Sequence, residues 1–399
     1  MDTGDLLERM RDPLGAPFFP QVLRALLVIT WVLHIFFVTL ALGSGLFTVY
    51  GFVHKGEHQL RLARTTARLT PNAVGLGIVT GIAPLLFIQT IYDPIWYASN
   101  ALTGLWSVIF VFVVMGGYSL AYLFYLKGSK DGRLLWSAVA SVALISFAGW
   151  IMHVLASVQL RPDEWMQWYA PNGITDTRGI EFHDFNLPRL AFLLPVQAVL
   201  GLAVVLLVYV WYTGRDADPD DAPYRAWITG LARRLGMIAA PLYAVFGVAW
   251  GLTQADRYDL ALPVAVVLGL LGIGLLAYFV LQPDLAGRAR LTLGVWLVVL
   301  LVVATVREVI RSSAMEDVGY RVADYPYDVN WGTVLLFTVT TVVGVSILAY
   351  LGLVLFQSGR YGGVISKKVD RFGRVATAML GAWFGFFLLL GLYAVVVLG

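Results

Sequence analysis

Apolar positions along this chain neither alternate nor fall on a single stripe of period 3.6. They run together in blocks of about 20 residues, the length needed to cross a bilayer as a helix. About ten such blocks recur, near 22–50, 73–92, 103–126, 134–158, 188–213, 235–253, 259–281, 291–310, 332–357 and 375–398. The pattern predicts an all-α fold, a polytopic transmembrane bundle of nine to ten helices in contact with membrane lipid. The least regular block, 235–253, contains Pro241 and is followed at once by Gln254, Asp256 and Arg257.

Charge between the blocks sets an orientation. The connections after blocks one, three, five, seven and nine carry Lys55, Arg61, Arg64, Arg68, Lys127, Lys130, Arg133, Arg215, Arg225, Arg233, Arg234, Arg288, Arg290, Arg360, Lys367, Lys368, Arg371 and Arg374, 18 of the 28 basic residues. By the positive-inside rule these face the cytoplasm of a bacterial inner membrane and both termini lie on the periplasmic side. Residues 1–21 are mixed in charge, lack a cleavage pattern and suit a short interfacial segment before a membrane domain over 22–398. Residues 214–234 form a cytoplasmic loop, where Asp216, Asp218, Asp220 and Asp221 make an acidic turn before an interfacial helix from Tyr224 to Arg234. Two outer loops, 159–186 and 312–330, are rich in Trp, Tyr and acidic residues. Both an interfacial aromatic belt and a partner-docking or quinone-covering role account for them.

Composition narrows the chemistry. Hydrophobic residues make up 59% of the 399, charged residues 13%, and mean hydropathy is +0.76. Nothing suggests nucleic-acid binding, and a net charge of +3 follows from topology alone. With no cysteine, the chain itself offers no disulfide, iron–sulfur ligand, zinc thiolate or covalent c-type haem attachment.

The polar residues inside the blocks are therefore few and informative. His34 sits in Leu33-His34-Ile35-Phe36, roughly 15 to 18 Å from the outer face, and His153 in Gly149-Trp150-Ile151-Met152-His153, roughly 8 Å in. Glu308 lies in Val306-Arg307-Glu308-Val309-Ile310-Arg311 near the outer end of the eighth block. An ionisable group at membrane depth marks a candidate site, with metal or haem ligation and proton relay its usual uses. His34, His153 and Glu308 are candidate axial ligands; Arg307 and Arg311 suit the propionates, and Trp150 completes the cofactor-binding set. The plainer alternatives are a neutral His34 bonded to a carbonyl of a neighbouring helix and a Glu308 that snorkels to the interface, paired with Arg311 at i, i+3.

The segment 33–43, then Gly77-Ile78-Val79-Thr80-Gly81-Ile82 with Asp93-Pro94-Ile95-Trp96-Tyr97 after it, and the fourth block ending in an outer loop, resemble the start of subunit I of the cytochrome bd quinol oxidases. The resemblance covers roughly 20–215, with its core at 22–213, and more thinly 295–320, around Glu308 and Arg311 within the C-terminal helices 235–398. It implies haem b, one or two per chain, with His34 on a first-span ligand and Glu308 on a second. The chain departs from the family in four places, one of them a much shortened quinol-binding loop, and His153 matches no part of the family pattern. The chain offers no His at 191–195, no carboxylate between Gly104 and Leu126, and Ser312-Ser313-Ala314-Met315 where the family has Gln-Pro-Trp. The expectation is a membrane cytochrome b that carries electrons between the quinone pool and a c-type cytochrome or iron–sulfur subunit of a respiratory complex on the outer face, without reducing oxygen. A true terminal oxidase and a haem-free anchor or ion-translocating subunit remain the alternatives.

Overall fold

A computed structural model describes residues 3–214, 219–253, 259–360, 364–393 and 395–396. The predicted Arg215, Asp216 and Asp218 of the acidic turn, and Gln254, Asp256 and Arg257, lie outside the described residues. The described chain is helical without strands. Its helices are α1 (Thr3–Arg9), α2 (Pro20–His54), α3 (Glu57–Ile91), α4 (Asp93–Leu102), α5 (Gly104–Leu123), α6 (Leu135–Val158), α7 (Trp165–Tyr169), α8 (Leu187–Ala191), α9 (Gln197–Thr213), α10 (Ala222–Leu252), α11 (Ala261–Leu281), α12 (Ala289–Glu316), α13 (Trp331–Arg360) and α14 (Lys367–Tyr393). Among the described residues, ten segments are long and apolar enough to cross a membrane, as the block pattern predicts.

Several boundaries differ from the hydropathy blocks, always by helical extension into polar sequence. α3 begins at Glu57 rather than near 73, and its 35 residues span roughly 52 Å, well beyond a bilayer core. The expected separate helix at 224–234 is continuous with the sixth span in α10, which passes through Pro241. α12 runs on to Glu316, so Ser312 to Met315 are helical and not loop. Hydropathy registers where lipid begins; it does not register where a helix stops.

The chain forms two compact units. The first comprises Met1–Pro13 and Pro20–Tyr325. Its centre is α9, where Ala198, Leu200, Ala203 and Leu207 are fully buried. Lipid tails are as apolar as leucine side chains, so helices here associate through close backbone approach and polar pairs. α2 and α3 pair antiparallel through a hydroxyl ladder, Ser44 to Thr70 at 3.0 Å and Thr48 to Thr66 at 2.8 Å. α10 and α11 touch at Gly251 and Gly272, where a Cβ would lie 2.4 Å from the backbone nitrogens of Ala265 and Ala244. The second unit comprises Leu14–Phe19 and Pro326–Gly399. In it Ala16 N–H donates to Pro326 O at 2.8 Å, and Phe18 meets Trp331 edge-on.

Residues 3–13 form more than an interfacial segment. Within the first unit Leu7 is fully buried, Gly4 packs on the Val318 carbonyl, and Arg11 donates to Asp324 O at 3.1 Å and Arg321 O at 3.0 Å. A short helix gains stability only by burying a face, and the 317–325 turn supplies the surface.

Candidate functional site

Antiparallel α2 and α12 bring their polar residues together at the end of the first unit where α2 begins and α12 ends. Glu308 is the hub, 4% exposed and with both oxygens engaged. Its Oε1 accepts from Arg24 Nε at 3.1 Å and from the Tyr92 hydroxyl at 2.6 Å; its Oε2 accepts from Arg311 Nη1 at 2.7 Å. The i, i+3 ion pair read from the sequence is present, and Arg24 and Tyr92 complete it from 284 and 216 residues away. Arg311 also lies over the Tyr92 ring, 5.3 Å from its centroid. Glu308 is therefore not an exposed snorkelling residue at the interface.

Immediately before Glu308 on α12, Arg307 takes no hydrogen bond or ion pair among the described residues. Its guanidinium sits over the Trp31 ring, 4.9 Å from the centroid, and within electrostatic range of His34. The His34 imidazole is turned onto α3, with Nδ1 2.9 Å from Gly77 O. A carbonyl only accepts, so Nδ1 carries the proton and Nε2 keeps its lone pair. Gly81 makes the space: a Cβ there would stand 2.9 Å from both Cε1 and Nδ1 of the ring. The plain reading of His34 as a neutral imidazole bonded to a neighbouring carbonyl thus holds. The same bond orients the ring in the manner of a metal-ligating histidine, whose other nitrogen is the one held by a carbonyl.

His153 has a different environment. Its Nε2 accepts from Asn186 N–H at 3.0 Å, which places the ring proton on Nδ1, and Arg189 Nε lies 3.4 Å from that atom. Neither nitrogen has a lone pair free for a metal. Arg189 is 7% exposed and donates through Nη2 to His153 O at 2.9 Å and Ser157 Oγ at 2.7 Å. Asn186 caps α8 by accepting from Arg189 N–H, so the loop, α6 and α8 form one polar knot. Trp150 stacks on His153 and touches Phe182 and Phe185, and Phe182 stacks on Trp106 at 4.6 Å. These aromatics hold the 159–186 loop against the helices.

A cap of aromatic and polar residues covers the Glu308 network. Tyr320 donates to Ile91 O at 2.8 Å and stacks on Tyr92. Asp93 Oδ2 accepts from Asp12 N–H at 2.8 Å and from the Tyr325 hydroxyl at 2.9 Å, while Asp93 Oδ1 is buried without a partner. Burial pushes the Asp93 carboxyl above the usual carboxylate range, and burial likewise raises the Tyr320 and Tyr325 phenols. On the loop, by contrast, Arg178 holds the partly exposed Asp176 down to about 2.

The three candidate ligands are thus not one cluster. His34 and Arg307 lie together beside Trp31, Glu308 and Arg311 share the adjacent ion-pair network, and His153 makes no contact with His34. Among the described residues no group of three or more His, Asp or Glu could hold a metal ion. Of the candidates, His34 fits an axial haem ligand best, with a free nitrogen on a locked ring, whereas both oxygens of Glu308 already accept bonds from Arg24, Tyr92 and Arg311. Sequence reasoning passed over Arg24, Trp31, Tyr92 and Arg189. Arg24 and Arg189 left one trace, a cation in an apolar run with no carboxylate within four residues. Comparison with family profiles, curated proteins and solved structures finds no match to the chain.

Proposed function

We propose that this chain is a membrane-embedded b-type cytochrome subunit of a bacterial respiratory complex, carrying electrons between the quinone pool and a redox partner on the periplasmic side without reducing oxygen. The observation that supports it best is the state of His34. Its ring is oriented through Nδ1 by Gly77, its Nε2 is unused, and a partnerless arginine stands beside it. A haem bound there would supply a one-electron iron couple. His34 would hold the iron through Nε2, and the Gly77 bond would raise the basicity of that nitrogen. Arg307 and Arg311 offer guanidinium donors for carboxylates. Tyr92 and Tyr320 cover the neighbouring Glu308 network, where burial keeps local electrostatics strong. Because the chain has no cysteine, electrons leaving it would pass to a separate c-type or iron–sulfur subunit.

A second reading, a haem-free anchor or ion-translocating subunit, draws on the closed Glu308 network, whose three donors satisfy that carboxylate without any cofactor. A reduced-minus-oxidised visible spectrum with a pyridine haemochrome assay, run on the purified complex and on its His34→Ala variant, separates the readings. The expected result is a b-type signal without carbon monoxide binding or oxygen uptake, lost in the variant. A spectrum unchanged in His34→Ala, or no haem in the intact complex, refutes the proposal, and oxygen uptake with a d-type band turns it into a terminal oxidase.

A further inference from the structure

Four guanidinium groups gather in the outer half of the first unit: Arg24 on α2, Arg189 on α8, and Arg307 and Arg311 on α12. Glu308 pairs with Arg24 and Arg311, and Asp184 acts on Arg189 at longer range. Arg189, Arg307 and Arg311 lie within electrostatic range of one another. Two carboxylates against four cations leave a surplus of two positive charges.

The surplus is concentrated on Arg307. It takes no hydrogen bond or ion pair among the described residues; only the Trp31 ring lies against it. Its position is nine residues before the end of α12 at Glu316, roughly 14 Å along the helix. Side chains on a helix lean toward its N-terminus, which for α12 is toward the membrane interior. Arg307 therefore reaches away from the outer surface, opposite to a residue snorkelling toward water. Its neighbours are similarly underused: Arg311 bonds only through Nη1, and Arg189 leaves Nη1 without a partner. Buried charges at membrane depth pair with one another or with a ligand, and planar guanidinium forks match carboxylate and phosphate oxygens.

We infer that Arg189, Arg307 and Arg311 form a binding site for a ligand carrying two anionic oxygen groups, with Trp31 as its flat floor. Two sources share that chemistry. One is the pair of carboxylates on a haem, which rests on the cytochrome reading above; the other is the pair of phosphates on a cardiolipin, which does not.

The test uses the full-length protein in detergent, purified as wild type, Arg307→Gln, Arg307→Lys and Arg189→Gln. Haem is measured by pyridine haemochrome, and retained or added cardiolipin by native mass spectrometry, with phosphatidylcholine as the neutral control. Arg307→Gln is the principal variant because it is only partly buried; Arg189→Gln is interpreted only where the protein stays monodisperse. Loss of haem or a shifted iron potential in Arg307→Gln, with cardiolipin unchanged and recovery in Arg307→Lys, assigns the carboxylates. Loss of cardiolipin with haem unchanged, again recovered in Arg307→Lys, assigns the phosphates. A wild type that holds neither ligand, or Gln variants that keep both at wild-type occupancy, overturns the inference. His34→Ala keeps the two proposals apart. If it retains haem while Arg307→Gln loses cardiolipin, the ligation reading falls and the anion site stands. If it loses haem while the arginine variants change nothing, the reverse holds.

Discussion

Replacing Glu308 by Gln tests the ion-pair network most directly. The substitution keeps the size of the side chain and one carbonyl oxygen, but removes the charge that Arg24, Arg311 and Tyr92 share at 3.1, 2.7 and 2.6 Å. Arg311, 3% exposed, is then left as a buried cation without a counter-charge. Breaking one side of a buried pair costs about 3–5 kcal/mol. Unfolding entropy grows with chain length, so for a chain of this size each kcal/mol moves the midpoint by about 1–2 °C, and the expected fall is about 5 °C. Intrinsic tryptophan fluorescence in one detergent at one heating rate measures it, since membrane proteins often unfold irreversibly. The double variant Glu308→Gln/Arg311→Met removes both charges and should recover part of the loss, because an apolar pair replaces a buried ion pair at little cost. A single variant within about 1 °C of wild type, or a double variant whose loss is the plain sum of the two singles, would show that the groups are not coupled.

Gly81→Val places atoms where the His34 ring now sits, so it should abolish the haem signal expected of the intact protein, whereas Ile82→Ala, on the exposed side of α3, should not. An unchanged spectrum in Gly81→Val would mean that the ring orientation does not matter. Arg11→Ala deletes two bonds to the 321–324 carbonyls and its stacking on Tyr320 at 4.3 Å, a local loss of about 1–3 kcal/mol, and should speed hydrogen exchange in 317–325. Equal exchange rates would refute the clamp. Asp93 predicts a pH dependence of the same cap. Its folded pKa is raised above the unfolded value of about 3.9, so its contribution is fully present below that value and is lost as pH rises through the folded pKa. Protection of residues 3–13, corrected for intrinsic exchange, should therefore decline with rising pH in wild type and stay flat in Asp93→Asn; parallel profiles would assign the effect to another group.

The ten candidate spans among the described residues are legible in the sequence because transfer of a side chain into lipid is a local property, summed over a window without knowledge of neighbours. The Glu308–Arg311 pair is legible for a similar reason, since three residues on one helix meet whatever surrounds them. Helix ends at 57, 222 and 316 are not legible, because a helix continues through polar sequence wherever it finds packing or water. The partners of the polar residues are not legible either. His34 meets Gly77 from 43 residues away, and His153 meets Asn186 and Arg189 across a loop. Glu308 gains Arg24 from 284 residues away. Which lone pair stays free, which guanidinium lacks a carboxylate and which histidine is closed off depend on how the faces of α2, α3, α6, α8 and α12 rotate against one another. That rotation is set by small-residue contacts such as Gly81 against His34, pairwise terms between distant positions that no window along the chain contains.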